Sequence, residues 1–186
     1  MLRIILQILG IFVLLLLVTI VTKRMQYSDH DGPSILFPGG ALVSGQLHSG
    51  AEPDWSFTDD TFTIELQTSN PVSSRKIFIA EHDGKIYVPS GYMKSFLGQL
   101  WKDWAFDAAD GDNLAVARIE GKRYERTLVR VRDKAITDGV GAKIAQKYSP
   151  GGEVTPEALA EVRRSIDDEE TWIFELAPRN PTVGEQ

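Results

Sequence analysis

The chain has 186 residues, 42% of them apolar, and a formal net charge of −6 at pH 7. This acidic balance argues against a protein that binds nucleic acid non-specifically. Cysteine is absent, which excludes disulfides, zinc–thiolate sites and a cysteine nucleophile. The length allows one domain and an appendage.

The N-terminal run of residues 4–21 is almost wholly apolar and has no polar face. Its length reaches the roughly 18–20 residues that a helix needs to cross a bilayer. No small-residue cleavage site follows, and the run ends in Thr22-Lys23-Arg24, which favours a retained signal anchor over a cleaved signal peptide. We expect a single-pass helix that contacts the bilayer of the inner (cytoplasmic) membrane through residues 4–21. The soluble domain is expected on the periplasmic or extracytoplasmic side, although the flanking charges are nearly balanced.

Four segments are predicted along the chain. Residues 1–25 form the anchor, and residues 26–54, rich in Gly, Pro, Ser and Asp, form a tether and an irregular lead-in. Within the lead-in, Ala41-Leu42-Val43 is a candidate short edge strand. Residues 55–179 form the folded domain, and residues 180–186 form a polar tail.

The stretch of residues 61–88 predicts three neighbouring antiparallel strands. Polar and apolar residues alternate over residues 61–68, which is typical of a half-buried strand with Phe62, Ile64 and Leu66 facing the core. Ile77-Phe78-Ile79 suits a strand buried on both faces. Asp83-Gly84 then predicts a tight hairpin turn.

The second half of the domain predicts helices packed on a further hairpin. Apolar residues spaced three and four apart mark a helix over residues 92–107. Its tryptophans, Trp101 and Trp104, either pack on the sheet or lie against a planar cofactor. A hairpin turns at Glu120-Gly121, helices begin after Asp133 and at Thr155-Pro156, and residues 172–176 form a last strand beside the earlier ones.

The hairpin around Glu120-Gly121 is basic in an otherwise acidic chain. Its cations are Arg118, Lys122, Arg123, Arg126, Arg130 and Arg132. A stripe of charge on a strand usually keeps an outer face solvated, and we expect that role here. The functional alternatives are binding of an anionic cofactor or of anionic lipid headgroups near the anchor.

No motif for nucleotide phosphates, serine hydrolysis or metal binding occurs in the chain. What remains is a set of groups suited to an anionic ligand. Ser73, Ser74 and Arg75 stand where one predicted strand enters another, and arginine offers a fork of donors to a phosphate. Ser90-Gly91 follows a strand end, where glycine lets a ligand approach the backbone, and Lys102 adds a charge beside Trp101.

Over residues 57–178 the order of elements resembles the split β-barrel proteins that bind flavin, both the pyridoxamine-phosphate-oxidase-like group and the deazaflavin-dependent nitroreductases. The resemblance rests on short motifs: Glu65-Leu66-Gln67-Thr68, Ser74-Arg75, the run from Asp83-Gly84 to Ser90-Gly91, Trp101, Glu120-Gly121-Lys122 and Lys147-Tyr148. It implies an α+β fold, mainly β: an antiparallel split β-barrel with packing helices, preceded here by one N-terminal transmembrane helix. The Gly-Arg-rich loop typical of the deazaflavin enzymes is replaced here by Asn70-Pro71-Val72-Ser73-Ser74-Arg75.

The same resemblance implies a cofactor site for FMN or a deazaflavin, and a homodimer. Thr68, Ser74 and Arg75 would then lie near the cofactor phosphate. Ser90 and Gly91 would line the next strand end, with Trp101 and Lys102 at the ring or the partner subunit. Two functions stay open: a membrane-anchored, flavin-type cofactor-binding protein with oxidoreductase character, or a non-catalytic, membrane-tethered interaction or scaffolding domain of the same fold.

Overall fold

The computed structural model describes residues 2–34, 37–95, 103–111, 113–149 and 153–179. The helices are α1 (Leu2–Tyr27), α2 (Asp103–Asp110), α3 (Lys134–Tyr148) and α4 (Pro156–Asp167), and a 3-10 helix covers Trp55–Asp60. The strands are β1 (Gln46–Leu47), β2 (Thr63–Thr68), β3 (Ser73–Phe78), β4 (Ala80–His82), β5 (Lys85–Ser90), β6 (Leu114–Ile119), β7 (Lys122–Val131) and β8 (Trp172–Pro178).

Helix α1 is long and apolar enough to cross a membrane. It has 26 residues, its most apolar stretch of 18 residues has a mean hydropathy of 3.1, and none of its residues is buried against the domain. The helix continues past the apolar run through Lys23 and Arg24 and ends at Tyr27.

The strands form one sheet in the order β3-β2-β6-β7-β8-β5-β4, and β1 pairs with β7. All the pairs are antiparallel except β1–β7, which is parallel. Strands β3 and β4 are the two edges of this order, yet only Ile79 separates them in the chain. The sheet must therefore curl until its edges meet at one end, which makes it a half-barrel.

Strand order corrects the expectation of three neighbouring strands at residues 61–88. Strands β2 and β3 are neighbours, and β4 and β5 are neighbours, but the two pairs lie at opposite ends of the sheet order. Strand β3 is an edge strand, so it is not buried on both faces: Ile77 is buried, whereas Phe78 is 44% exposed. Phe62, predicted to face the core, precedes β2 and is 58% exposed; it packs edge-on against Phe78 and Tyr148.

The main core fills the inside of the curl. Alternation along the strands places Leu66, Val88 and Phe174 on this inner face, each with no exposed surface. Trp104 of α2 packs among them and contacts the Phe174 ring. A second, smaller cluster joins the sheet to α3 through Ala80, Tyr87, Val140 and Ile173.

Two of the predicted turns and two of the predicted helix starts are confirmed. Asp83-Gly84 and Glu120-Gly121 have positive φ at both positions, and each joins an antiparallel pair. The Asp133 carboxylate accepts from the first N–H groups of α3, and the Thr155 hydroxyl accepts from the Ala158 N–H at the start of α4. The helix predicted over residues 92–107 does not begin at Tyr92: residues 92–95 form a turn, with a positive φ at Tyr92. Residues 96–102 lie outside the described residues, and α2 begins at Asp103.

The described residues between α1 and the 3-10 helix lie on the sheet. Leu42 is buried, and Gly39 forms a two-bond bridge to Ser74. The short strand expected at Ala41-Leu42-Val43 is not formed; pairing occurs instead at β1, where Leu47 is in register with Arg123.

Candidate functional site

The predicted anion site divides between the two faces of β3. Thr68 and Arg75 lie on the inner face with Leu66, and an Arg75 guanidinium nitrogen donates to the Thr68 hydroxyl at 3.4 Å. Ser74 points to the opposite face, is fully buried, and its backbone is bonded to Gly39. Thr68 and Arg75 are therefore brought together, whereas Ser74 is separated from them by the thickness of the strand.

Arg75 occupies an enclosed position beside α2. Its guanidinium carbon lies 5.6 Å from the centroid of the Trp104 ring. Burial lowers the pKa of Arg75 to about 10, although the charges of Asp103 and Asp107 act in the opposite direction. Within the described part of the chain, the Arg75 side chain has Thr68 as its hydrogen-bond partner. No carboxylate there lies at ion-pair distance from it, and its Nε is buried without a partner.

The remaining predicted site residues lie elsewhere. Ser90 is fully buried and donates to the sulfur of Met93 at 3.2 Å, so its hydroxyl is engaged inside the core. Gly91 lies at the wall of a groove, where an added Cβ would come no nearer than 3.7 Å to the Thr171 hydroxyl. Trp101 and Lys102 lie outside the described residues.

The groove beside Gly91 has a volume of about 970 Å³. It runs between the outer side of β3, the end of β5, and helices α3 and α4. Its apolar lining comes from Ile77, Phe78, Pro89, Tyr92, Ile144, Val162 and Ile166. Its charged lining comes from the cations Lys76, Lys94 and Arg164 and the carboxylates Glu161 and Glu170, and its hydroxyls come from Thr63, Ser95, Ser165 and Thr171.

Sequence reasoning identified Gly91 but missed the three cations of the groove. Lys76 carried a usable signal, because strand alternation places it on the opposite face of β3 from Arg75. Lys94 and Arg164 stand 70 residues apart, so only the packing of α4 beside the end of β5 brings them to one groove. The arrangement offers apolar walls for a flat ligand and separate cations for an anionic group.

The arginines nearest the lead-in hold that segment on the sheet. Arg118 is 11% exposed and forms ion pairs with Asp31 and Glu65. Arg123 donates to the backbone carbonyls of Leu42 and Gly45. These arginines were predicted to form a solvated face, and that prediction is wrong for both, because each guanidinium is used in an internal contact.

Two further arginines of β7 are also engaged. Arg126 is 2% exposed; it donates to both carboxylate oxygens of Glu52 and lies over the rings of Trp55 and Tyr124. Arg130 is 12% exposed, pairs with Glu169 and lies 3.5 Å above the centroid of Trp172. The solvated face is therefore limited to Lys122 and Arg132, which are exposed.

Lys147 and Tyr148 close the seam where β3 meets β4. The Lys147 ammonium donates to the carbonyls of Thr58 and Ile79, and burial lowers its pKa. The Tyr148 hydroxyl accepts from the Ile79 N–H at 3.0 Å, and burial raises its pKa to about 12. Both side chains bind backbone groups, so their role here is to fix the curl of the sheet.

Metal binding finds no support in the described residues. No group of three histidine, aspartate or glutamate side chains there has the arrangement needed to hold an ion.

No protein-family model and no curated protein matches the chain. Among solved structures, the conserved hypothetical protein Rv2991 from Mycobacterium tuberculosis is similar, with 15% identity and a TM-score of 0.49 over 67% of this chain and 77% of that one. A candidate pyridoxamine 5'-phosphate oxidase from Listeria innocua is similar with 13% identity and a TM-score of 0.43, over 67% of this chain and 90% of that one.

The fold itself follows from the strand order of this chain and from the single residue that joins the two edges of its sheet. A curled antiparallel sheet, filled by α2 and flanked by α3 and α4, confirms the predicted fold class: the domain is an α+β split barrel.

Proposed function

We propose that this chain is a membrane-anchored protein that binds a flavin-type cofactor, FMN or a deazaflavin, in the groove beside Gly91. The observation that carries the proposal is the groove itself, with its apolar walls and three cations. The anchor is α1, through residues 4–21, and the domain lies on the extracytoplasmic side of the inner membrane.

The size and lining of the groove fit such a ligand. Pockets for cofactors usually enclose about 300–1,000 Å³ and combine apolar walls with a few polar groups. Phe78, Pro89 and Ile144 offer apolar surface for a fused ring system. Lys76 and Arg164 are exposed cations suited to a phosphate, lysine as a point charge and arginine as a fork.

The chain's own residues would bind and orient the cofactor. A bound flavin supplies hydride or electron transfer, and the protein supplies position and electrostatics. The apolar walls exclude water from one side of the ring, and Gly91 lets the ring approach the backbone. Arg75 and Thr68 lie on the other face of β3, and Ser74 is fully buried and bridged to Gly39. We therefore assign the phosphate to Lys76 rather than to the predicted trio of Thr68, Ser74 and Arg75.

Titration of the full chain in non-ionic detergent with FMN, and separately with a deazaflavin cofactor, tests the proposal by flavin fluorescence and absorbance. A saturating, stoichiometric change is expected. Lys76→Ala should weaken binding about tenfold, the equivalent of one charge-assisted hydrogen bond of roughly 1.5 kcal/mol. Lys122→Ala, which removes an exposed lysine outside the groove, is the matched control and should bind as the natural chain does.

Arg75→Ala separates the two phosphate assignments. If Arg75→Ala abolishes binding and Lys76→Ala does not, the phosphate lies on the inner face of β3 and our assignment is wrong. If neither cofactor produces a change, the protein is the non-catalytic, membrane-tethered interaction or scaffolding domain. That second function is favoured by the internal contacts of four arginines: Arg118, Arg123, Arg126 and Arg130. Cations that stabilise the fold in this way are not available to bind an anionic ligand.

The homodimer implied by the resemblance stays a prediction, together with the sidedness of the domain. Light scattering of the detergent-solubilised chain distinguishes one copy from two. Labelling of a single cysteine introduced at an exposed position, such as Val129, by an impermeant reagent applied to intact cells reports the side. Labelling without permeabilisation of the inner membrane is the result expected for an extracytoplasmic domain.

A further inference from the structure

The link between α1 and the sheet is short and held at several points. Three residues separate Tyr27, the end of α1, from Asp31. The Asp31 carboxylate accepts from Arg118 and from the N–H groups of Val43 and Ser44. Tyr27 stacks on Phe37, and the Gly40 N–H donates to the His30 carbonyl. The described residues of this segment, 27–34 and 37–44, are therefore fixed to the domain.

This arrangement sets the height of the domain above a bilayer that α1 spans. The apolar run ends at Val21, and six further residues of helix rise about 9 Å to Tyr27. The polar headgroup layer of one leaflet is about 5–7 Å thick. The first residues of the domain therefore lie at the outer limit of the headgroups, because no flexible linker separates the domain from the end of α1.

Residues 41–47, which we call the juxtamembrane loop, expose apolar side chains next to this junction. Val43 is 65% exposed and Leu47 is 42% exposed, whereas the neighbouring Leu42 is buried. The backbone of the loop is held at Val43 by Asp31 and at Leu47 by pairing with β7. A held loop presents apolar side chains to a membrane at little further cost in chain entropy.

We propose that the juxtamembrane loop is a membrane-contacting surface, and that Val43 and Leu47 enter the layer of lipid headgroups. The inference rests on the anchoring part of the proposed function. Lys23 and Arg24, one turn before the end of α1, extend their charges to the same headgroup layer. The domain is then seated on the bilayer in one orientation.

Because the chain has no cysteine, single-cysteine variants of the full chain carry one label each. A polarity-sensitive fluorophore is attached to Val43→Cys and to Leu47→Cys, and the proteins are reconstituted in phosphatidylcholine vesicles with or without quencher lipids. One quencher lipid carries its quencher near the headgroup, and a second carries it at the end of the acyl chain, which reaches the depth of residue 11. Val129→Cys is the matched control, since Val129 is 43% exposed against 42% for Leu47. It lies six residues along β7 from the partner of Leu47, about 20 Å away. Ile11→Cys reports the span itself.

Labels at residues 43 and 47 should emit at shorter wavelength than the label at residue 129 and lose fluorescence in quencher-containing vesicles, as the label at residue 11 does. If residue 11 is quenched while residues 43 and 47 behave as residue 129 does, the loop does not contact the membrane and the proposal is overturned. If residue 11 is not quenched, anchoring fails and the proposal fails with it. Cofactor binding is measured in detergent, so its failure stays distinguishable from both results.

Discussion

The phenolic oxygen of Tyr148 lies 3.0 Å from the amide nitrogen and 2.9 Å from the carbonyl oxygen of Ile79. Ile79 is the one residue between the two edge strands β3 and β4. It is fully buried, and it belongs to neither edge strand, so its backbone groups are not paired within a strand ladder. A side chain from the last turn of α3 thus satisfies the backbone at the point where the sheet folds back on itself.

Removing the Tyr148 hydroxyl should therefore destabilise the domain. Tyr148→Phe keeps the ring contacts with Phe62 and Phe78 but leaves the Ile79 N–H without its partner, at a cost of about 1–3 kcal/mol in the free energy of unfolding. Denaturant unfolding of the full chain in detergent measures the loss. Tyr92→Phe, at a phenol that is 78% exposed, is the control; equal stability of the two variants would contradict this role for Tyr148.

Arg126 should be intolerant of replacement by an apolar residue of similar length. Arg126→Met keeps much of the volume between Trp55 and Tyr124 but removes both hydrogen bonds to Glu52. Because Glu52 is 39% exposed, water can solvate the carboxylate, and we expect a loss of about 2 kcal/mol rather than that of a fully buried pair.

Thermal unfolding checks this value, and the control is Arg132→Met, at the exposed residue that follows β7. A stability of Arg126→Met equal to that of the control would show that the Glu52 contact adds nothing. A double variant with Glu52→Gln isolates the pair from the loss of packing.

The contribution of Asp31 to stability should depend on pH in the acidic range. The Ser44 hydroxyl, the backbone N–H groups of Val43 and Ser44, and Arg118 hold the pKa of Asp31 well below its usual range, although burial acts in the opposite direction. A depressed pKa in the folded state means that the stabilisation is complete above the unfolded value of about 3.9 and is lost as the pH falls through the folded value.

Unfolding of the natural chain and of Asp31→Asn should therefore differ most at neutral pH, and the difference should shrink below about pH 4. Circular dichroism melts at pH 7 and pH 3 measure both stabilities. A difference that stays constant between these pH values would mean that the charge of Asp31 is not what holds the loop.

Gly40 should tolerate no side chain. A Cβ there would lie 2.3 Å from the Ser28 carbonyl oxygen, and because that oxygen belongs to the backbone it cannot turn aside. Gly40→Ala should cost about 1–3 kcal/mol, the usual range for overpacking. Gly50→Ala is the control from the same segment, because its nearest neighbour is the His48 ring at 3.6 Å; a Gly40→Ala melt that matches it would show that the junction is loose.

Features encoded by adjacent residues could be predicted from the sequence. The turn at Asp83-Gly84 and the cap at Thr155 depend on the local backbone, so their residue types were sufficient. Strand order depends on contacts between distant segments, and nothing near Ile79 signals that the chain there passes between the two edges of the sheet. The exposure of Phe78 follows from that order, and so it was missed.

The candidate site was predicted in part for the same reason. Gly91 stands out because it follows a strand end, but Arg118 and its partner Asp31 are 87 positions apart and Arg126 and Glu52 are 74 apart. A local pattern of alternating arginines cannot reveal which of them meet a carboxylate. The groove cations come from β3, from the segment after β5 and from α4, and only the folded chain brings them together.

The join at Ile79 also bears on self-association. An open sheet edge is a template on which a second chain can add a strand. Here the two edge strands converge at Ile79, where Tyr148 and Lys147 occupy the backbone groups. At the other end of β3, Gly39 already bonds Ser74. Strand exchange or fibre growth through β3 would first have to displace either the side chains of Tyr148 and Lys147 or the backbone of Gly39. Variants that weaken one of these contacts should therefore aggregate before they unfold.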